Sequence, residues 1–170
     1  MNAKTTMGSL LILLTLVFRP EPVFAQSGLF DSGAKRFSVV LGNASSFGND
    51  YIVLGLGAGY YVIDGLDLGF DVQAWLGDDP SIYQITPEAR YTLQITDVLA
   101  PYAGVLYRET IIENRDNTSA YGAKAGLNVI IGSNSYIGAG IVTIKYNDCR
   151  ESVLVSCSET YPELAVLFSF

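Results

Sequence analysis

The chain has 170 residues, of which 17 are acidic and 10 are basic, and its formal net charge is −7. A chain with this negative net charge lacks the basic surface that nucleic-acid binding requires. It contains no histidine, so the commonest general base and the commonest transition-metal ligand are both missing. We therefore predict no catalytic site, no metal site and no cofactor.

The first 25 residues have the pattern of a cleaved secretory signal peptide. Lys4 precedes an apolar run over 10–18, and Val23 and Ala25 occupy the positions expected before a signal-peptidase cut. The run is too short to span a bilayer as a helix, which needs about 20 residues; a short N-terminal anchor is the alternative. Cleavage after Ala25 would leave 26–34 as a short periplasmic segment and 35–170 as the folded domain.

From residue 35 onward, apolar positions alternate with polar or glycine positions, which predicts β-strands. The predicted strands, in chain order, cover 35–45, 51–61, 66–76, 83–93, 99–110, 121–129, 136–146 and 161–170. The dipeptide Asp64-Gly65 predicts a hairpin turn. Pro87 predicts a local break or bulge because proline cannot donate a hydrogen bond to a neighbouring strand.

The two faces of these strands differ in an unusual way. One face is apolar, and the other is rich in glycine with few charges, which suits a narrow closed interior better than a solvated sheet surface. Tyrosines recur towards strand ends, as in an aromatic girdle at a bilayer interface. They are Tyr51, Tyr60, Tyr83, Tyr91, Tyr107, Tyr121, Tyr136, Tyr146 and Tyr161. With short connections after strands two, four and six and longer ones after five and seven, the pattern predicts an all-β fold, an eight-stranded antiparallel up-and-down transmembrane β-barrel.

The sequence resembles the small eight-stranded outer-membrane β-barrel proteins, the group that contains outer membrane protein X and the transmembrane domain of outer membrane protein A. The stretches that carry the resemblance are YYVIDGLDLGFDV, ITPEARYTL, LAPYAGVLYRE and the final LAVLFSF. The resemblance implies a monomer in the bacterial outer membrane, in contact with lipid and lipopolysaccharide. It also implies that the last strand is the signal read by the barrel-assembly machinery, through Leu164, Val166, Phe168 and Phe170.

Six charged residues fall on the predicted interior face. They are Asp71, Glu88, Arg90, Arg108, Lys124 and Glu163. Because buried charges must be paired, we predict an internal network of ion pairs, which could be a static plug or a gate whose pairs exchange partners. The resemblance implies that lipid-modifying enzymes among such barrels use a catalytic histidine, which this chain lacks.

Two further sets of residues lie near the predicted outer surface. Cys149 and Cys157 predict one disulfide in an exported protein, with two free thiols as the alternative. Arg115, Lys145 and Arg150 could contact lipopolysaccharide phosphates or could be scattered surface charge. The predicted role is structural or interactive at the surface, with a plugged or very narrow lumen. The alternatives are a soluble periplasmic or secreted β-barrel that binds an apolar ligand, and a small passive pore.

Overall fold

The computed structural model describes residues 28–46, 49–77, 80–147 and 157–170. Eight antiparallel strands follow each other around a closed barrel, in which β1 also pairs with β8. The strands are β1 (Lys35–Ser46), β2 (Asn49–Ile63), β3 (Leu66–Gly77), β4 (Ile82–Thr92), β5 (Leu99–Ile112), β6 (Thr118–Gly132), β7 (Ser135–Tyr146) and β8 (Ser158–Ser169). The predicted eight-stranded β-barrel is therefore confirmed. Over the ranges described, no helix is long and apolar enough to cross a membrane. The predicted signal peptide lies outside those ranges.

Two tight turns define one end of the barrel, called the turn end here. Asp64 and Gly65 join β2 to β3, and Gly65 has a φ of 78°, a left-handed conformation that glycine adopts without steric cost. Residues 133–134 join β6 to β7 at the same end. The predicted length difference between the two ends is not strict, because the β4–β5 connection at the turn end (93–98) is longer than the β5–β6 connection at the opposite, loop end (113–117).

Pro87 interrupts the pairing of β4 on one side only. Its pairing with Phe70 of β3 is part of an unbroken register, whereas Thr86 and Pro87 have no partner on β5 and the pairing resumes in the same register beyond them. A residue in an antiparallel strand directs its N–H towards only one neighbouring strand. The hydrogen bond that Pro87 cannot donate is therefore missing on the β5 side. The predicted break is present, and no bulge accompanies it.

The barrel has an apolar exterior and a polar interior. Leu56 and Val105 on the outer face are 51% and 62% exposed, whereas Asp67 on the inner face is fully buried. This distribution is the reverse of that in a soluble protein, where the exposed face of a sheet is the polar one. The predicted assignment of the two faces is confirmed along all the strands whose side chains are described.

The tyrosines divide between the two faces, which corrects the predicted girdle. Those on the exterior are Tyr60 and Tyr91 near the turn end and Tyr83, Tyr107 and Tyr121 near the loop end. Those that face the interior are Tyr51, Tyr136, Tyr146 and Tyr161. A shift of one residue along a strand moves a side chain to the other face, so proximity to a strand end alone does not place a tyrosine at an interface.

The residues before β1 fold across the turn end as an apolar plug. The Phe30 ring lies edge-on to Tyr61, with ring centroids 6.0 Å apart, and to Tyr136 at 5.1 Å. The Gly65 N–H donates to the Phe30 carbonyl at 2.7 Å, and the Ser169 hydroxyl donates to the Leu29 carbonyl at 2.6 Å. The segment predicted as a short periplasmic extension thus closes the barrel where it is described, over 28–34.

We expect Gly140→Val to destabilise the barrel. A Cβ at this position would lie 2.6 Å from the carbonyl oxygen of Ala125 and closer still to the Tyr102 hydroxyl, and overpacking of this kind costs about 1–3 kcal/mol. Ala139→Val, on the exposed face of the same strand, is the matched control and should change the free energy of unfolding by no more than about 0.5 kcal/mol. Urea titration of both variants in detergent, followed by Trp75 fluorescence, measures the difference; equal effects would show that the interior has room to spare.

Candidate functional site

Eight charged side chains from six strands meet in the barrel interior. The basic ones are Arg36, Arg90, Arg108 and Lys124, and the acidic ones are Asp67, Asp71, Glu88 and Glu163. The formal charges of this set cancel. All but Glu163 are buried as whole residues, and a buried charge is tolerated only when it is compensated.

Glu88 of β4 holds the centre of the cluster. Its Oε1 accepts a hydrogen bond from Arg36 Nη2 at 2.7 Å, and its Oε2 forms an ion pair with Lys124 Nζ. Lys124 Nζ also lies 3.5 Å from Oε1 of Glu163 on β8. One carboxylate therefore ties together β1, β4 and β6, and through Lys124 it reaches β8.

Asp67 of β3 extends the cluster towards the turn end. Its Oδ2 accepts from Arg36 Nε at 2.5 Å and lies 3.4 Å from Arg90 Nη2. The guanidinium of Arg90 also faces the ring of Tyr102, 5.4 Å from its centroid. The ion pairs thus run without a gap through Arg90, Asp67, Arg36, Glu88, Lys124 and Glu163, and we call this series the ion-pair chain.

Glycines make room for the guanidinium of Arg36. A Cβ added at Gly69 would lie 2.6 Å from Arg36 Nη2, and one added at Gly59 would lie 3.0 Å from the same atom. The interior of an eight-stranded barrel is only wide enough for side chains to fill. The glycines that face the interior therefore set where a long charged side chain can lie across the lumen.

The six predicted interior residues have different kinds of partner in the structure. Glu88, Arg90, Lys124 and Glu163 are members of the ion-pair chain. Asp71 instead accepts a hydrogen bond from the Ser38 hydroxyl at 3.1 Å. Arg108 donates to the hydroxyls of Thr86, at 3.1 Å, and Tyr161, at 2.5 Å, so both charges contact neutral groups.

Arg36 and Asp67 are members of the ion-pair chain that the sequence prediction left out. The sequence did place Asp67 on the polar face of its strand, opposite Leu66 and Leu68. The same alternation applied to β1 puts Arg36 and Ser38 opposite Phe37, and this signal would have found Arg36. The acidic partners of Arg36 could not be predicted, because its contacts join strands that are far apart in sequence.

A cavity of about 330 Å³ occupies the loop-end half of the interior. Its polar lining includes Gln73, Gln84 and Arg108, together with Glu163, the last member of the ion-pair chain. The described part of the chain contains no cluster of three or more His, Cys, Asp or Glu residues that could hold a metal ion. The interior therefore offers hydrogen-bonding groups and ion pairs.

The remaining predicted surface residues lie at the loop end. Arg115 in the β5–β6 connection and Lys145 near the end of β7 are exposed, while Arg150 lies outside the described residues. Cys149 also lies outside them, so its disulfide with Cys157 stays a prediction. Leu164, Val166, Phe168 and Phe170 all point outward from the last strand, and Phe170 exchanges two backbone hydrogen bonds with Lys35 of β1, at 2.8 and 3.1 Å.

No protein-family model matches the chain, and no curated protein matches it. Among solved structures, the chain is similar to the N-terminal β-barrel domain of Pseudomonas aeruginosa OprF, with a TM-score of 0.62 and 17% identity over 82% of this chain and 98% of that one. It is similar to Neisserial surface protein A, with a TM-score of 0.54 and 16% identity over 80% and 94%. It is also similar to the Yersinia pestis outer membrane protein Ail, with a TM-score of 0.51 and 14% identity over 82% and 100%. The fold is therefore that of the small eight-stranded outer-membrane barrels, as the sequence resemblance predicted.

We expect Glu88→Gln to lower the free energy of unfolding by about 3–5 kcal/mol, because it leaves Arg36 and Lys124 buried without their shared counter-charge. Adding Lys124→Met should recover part of the loss, since it removes the one positive charge by which the interior set would then exceed neutrality. Glu113→Gln, at an exposed position, is the control and should have an effect below about 0.5 kcal/mol. Urea titrations of the three variants and the parent test this; a Glu88→Gln curve that overlays the control would mean that the ion-pair chain does not stabilise the barrel.

Proposed function

We propose that this chain is an integral protein of the bacterial outer membrane, a monomeric barrel with a closed interior and a structural or surface-interaction role. The observation that carries the proposal is the inverted distribution of polarity, with exposed apolar side chains outside and paired charges inside. A closed β-barrel satisfies the hydrogen bonds of its backbone between strands, which is what the hydrocarbon core of a membrane demands.

The dimensions of the exterior support this environment. Tyr83 and Tyr91 point outward at opposite ends of β4, eight residues apart. At about 3.4 Å per residue and a strand tilt of about 40°, the two rings lie about 20 Å apart along the barrel axis. The apolar band of outer-membrane barrels is about 25 Å tall and is flanked by aromatic residues, so the tyrosines fit its two boundaries.

We infer that the described part of the interior is closed to the passage of water and ions, and two features support this. The apolar plug around Phe30 closes the turn end, and the ion-pair chain crosses the lumen above it. The cavity in the loop-end half is lined by Glu163 of the ion-pair chain. A closed lumen favours a structural or surface role over passive permeation.

The last strand and the loop end suggest partners. The outward alternation of Leu164, Val166 and Phe168 ends at Phe170, which supports recognition of β8 by the barrel-assembly machinery before it pairs with β1. At the loop end the exposed side chains of Arg115 and Lys145 could contact lipopolysaccharide phosphates. Both partners are part of the proposal.

Cell fractionation and gel mobility test the location. We expect the protein in the outer-membrane fraction, with an unboiled band that migrates differently from the boiled one because the barrel resists detergent. Recovery in the soluble periplasm without a mobility shift would overturn the proposal and favour a soluble barrel that binds an apolar ligand. In planar bilayers we expect no steady conductance; reproducible single-channel steps would replace the closed interior with a narrow pore.

A pair of arginine substitutions on β3 tests the membrane directly. Val72 and Leu76 lie on the same exposed face, about 13 Å apart along the strand. In phospholipid vesicles Val72→Arg should cost about 2–4 kcal/mol, because it places a charge near the middle of the bilayer, whereas Leu76→Arg near the loop end should cost about 0–1 kcal/mol. Equally small effects at both positions would mean that this face meets water.

A further inference from the structure

The first and last strands close the barrel by pairing over only part of their length. Over the described residues, the paired register of β1 and β8 runs from Arg36 with Ser169 to Val40 with Ala165, and the hydrogen bonds between Lys35 and Phe170 extend it at the turn end. Both strands continue towards the loop end, β1 paired with β2 as far as Ser46 and β8 paired with β7 from Ser158. We call the unpaired half of this junction the seam. Unpaired strand edges are unfavourable in the hydrocarbon region of a membrane, so the seam is an unusual opening in the wall of the barrel.

The cavity in the loop-end half opens into this seam. Its lining combines Leu41 and Leu164, which point outward on the two unpaired strand segments, with the interior residues Gln73, Trp75 and Arg108. One continuous space therefore has an inner wall that includes polar groups and an apolar opening on the side of the barrel. An amphiphile, which has a polar head and an attached apolar chain, has the same distribution of polarity.

The inner wall favours a neutral head group. Trp75 Nε1 and Gln84 Oε1 are buried and have no hydrogen-bond partner among the described residues, so the wall offers one donor and one acceptor. The charged lining residues are Arg108, Glu159 and Glu163, of which Glu163 is already paired with Lys124. Arg108 already donates to two hydroxyls. A hydroxyl can accept from Trp75 and donate to Gln84, whereas a carboxylate has no hydrogen to donate to Gln84.

We propose that the cavity and the seam form a lateral binding site for a neutral, single-chain amphiphile. The hydroxyl or amide head lies between Trp75 and Gln84, and the alkyl chain passes between β1 and β8 into the bilayer. A volume of about 330 Å³ is at the lower end of the range for ligand pockets, about 300–1,000 Å³, which suits a head and the first part of a chain. The inference rests on the proposed function, because the rest of the chain needs a bilayer to lie in.

Trp75 supplies the measurement, since it is the single tryptophan of the chain and lines the cavity. The probe is dodecanol with bromine either beside the hydroxyl or at the chain end, added to the barrel in phosphatidylcholine vesicles. We expect saturable quenching of Trp75 fluorescence, stronger with bromine beside the head. Unbrominated dodecanol should restore the fluorescence, and dodecanoate should need a concentration about tenfold higher, equivalent to about 1.4 kcal/mol.

Gly42→Phe is the blocking variant. Among the described residues, the one atom within 4 Å of a Cβ at this position is Val53 Cβ, at 4.0 Å. Gly42 also lines the cavity, so the added ring would fill the seam from inside. Ala103→Phe adds the same bulk to the exposed face of β5, on the other side of the barrel, and is the control. We expect Gly42→Phe to raise the half-saturating probe concentration at least about tenfold and Ala103→Phe to leave it unchanged.

The failure of this inference and the failure of the proposed function have different signatures. Quenching that rises linearly with probe, resists dodecanol and is equal for the two bromine positions would show simple partitioning into lipid and overturn the lateral site, even in a heat-modifiable membrane barrel. A barrel recovered from the soluble periplasm would overturn the membrane location instead. The competition by dodecanol uses the parent chain and decides the matter if Gly42→Phe lacks the unboiled band of a folded barrel.

Discussion

The pairing of charges in a narrow interior is the constraint on which the rest of this barrel depends. Eight strands enclose a space that side chains can fill, and this chain fills its middle with basic and acidic groups that must compensate each other at close range. Glu88 satisfies Arg36 and Lys124 at once, so it links strands that share no backbone hydrogen bonds. The register of the strands and the position of the charges therefore stabilise one another.

The interior also explains the composition of the strands. Glycines such as Gly59 and Gly69 leave space for the Arg36 guanidinium, and their weak strand preference is offset by hydrogen bonding on both sides in a closed sheet. Below the charges, Phe30 completes an apolar layer with Tyr61 and Tyr136. The interior thus changes from apolar at the turn end, through paired charges, to a partly open cavity at the loop end.

Much of the fold was predictable, because alternation with period two is a local property of the sequence. It identified eight strands, the outward and inward faces, and the hairpin at Asp64-Gly65, where glycine meets a requirement for positive φ. It also identified four members of the ion-pair chain, since a charge on the glycine-rich face of a strand has to lie inside. Tyr51 and Tyr136 were misplaced because nearness to a strand end was given more weight than alternation.

By itself, the sequence determined the class of fold, the polarity of its two surfaces and the strand ends that tight turns join, because each follows from short-range patterns. Only the tertiary structure decided which charges pair, since Arg36 meets Glu88 across 52 positions of the chain. It likewise decided that residues before β1 plug the turn end and that β1 and β8 separate beyond Val40 and Ala165. Such features depend on which distant strands the closed sheet brings together, and no local sequence pattern specifies those contacts.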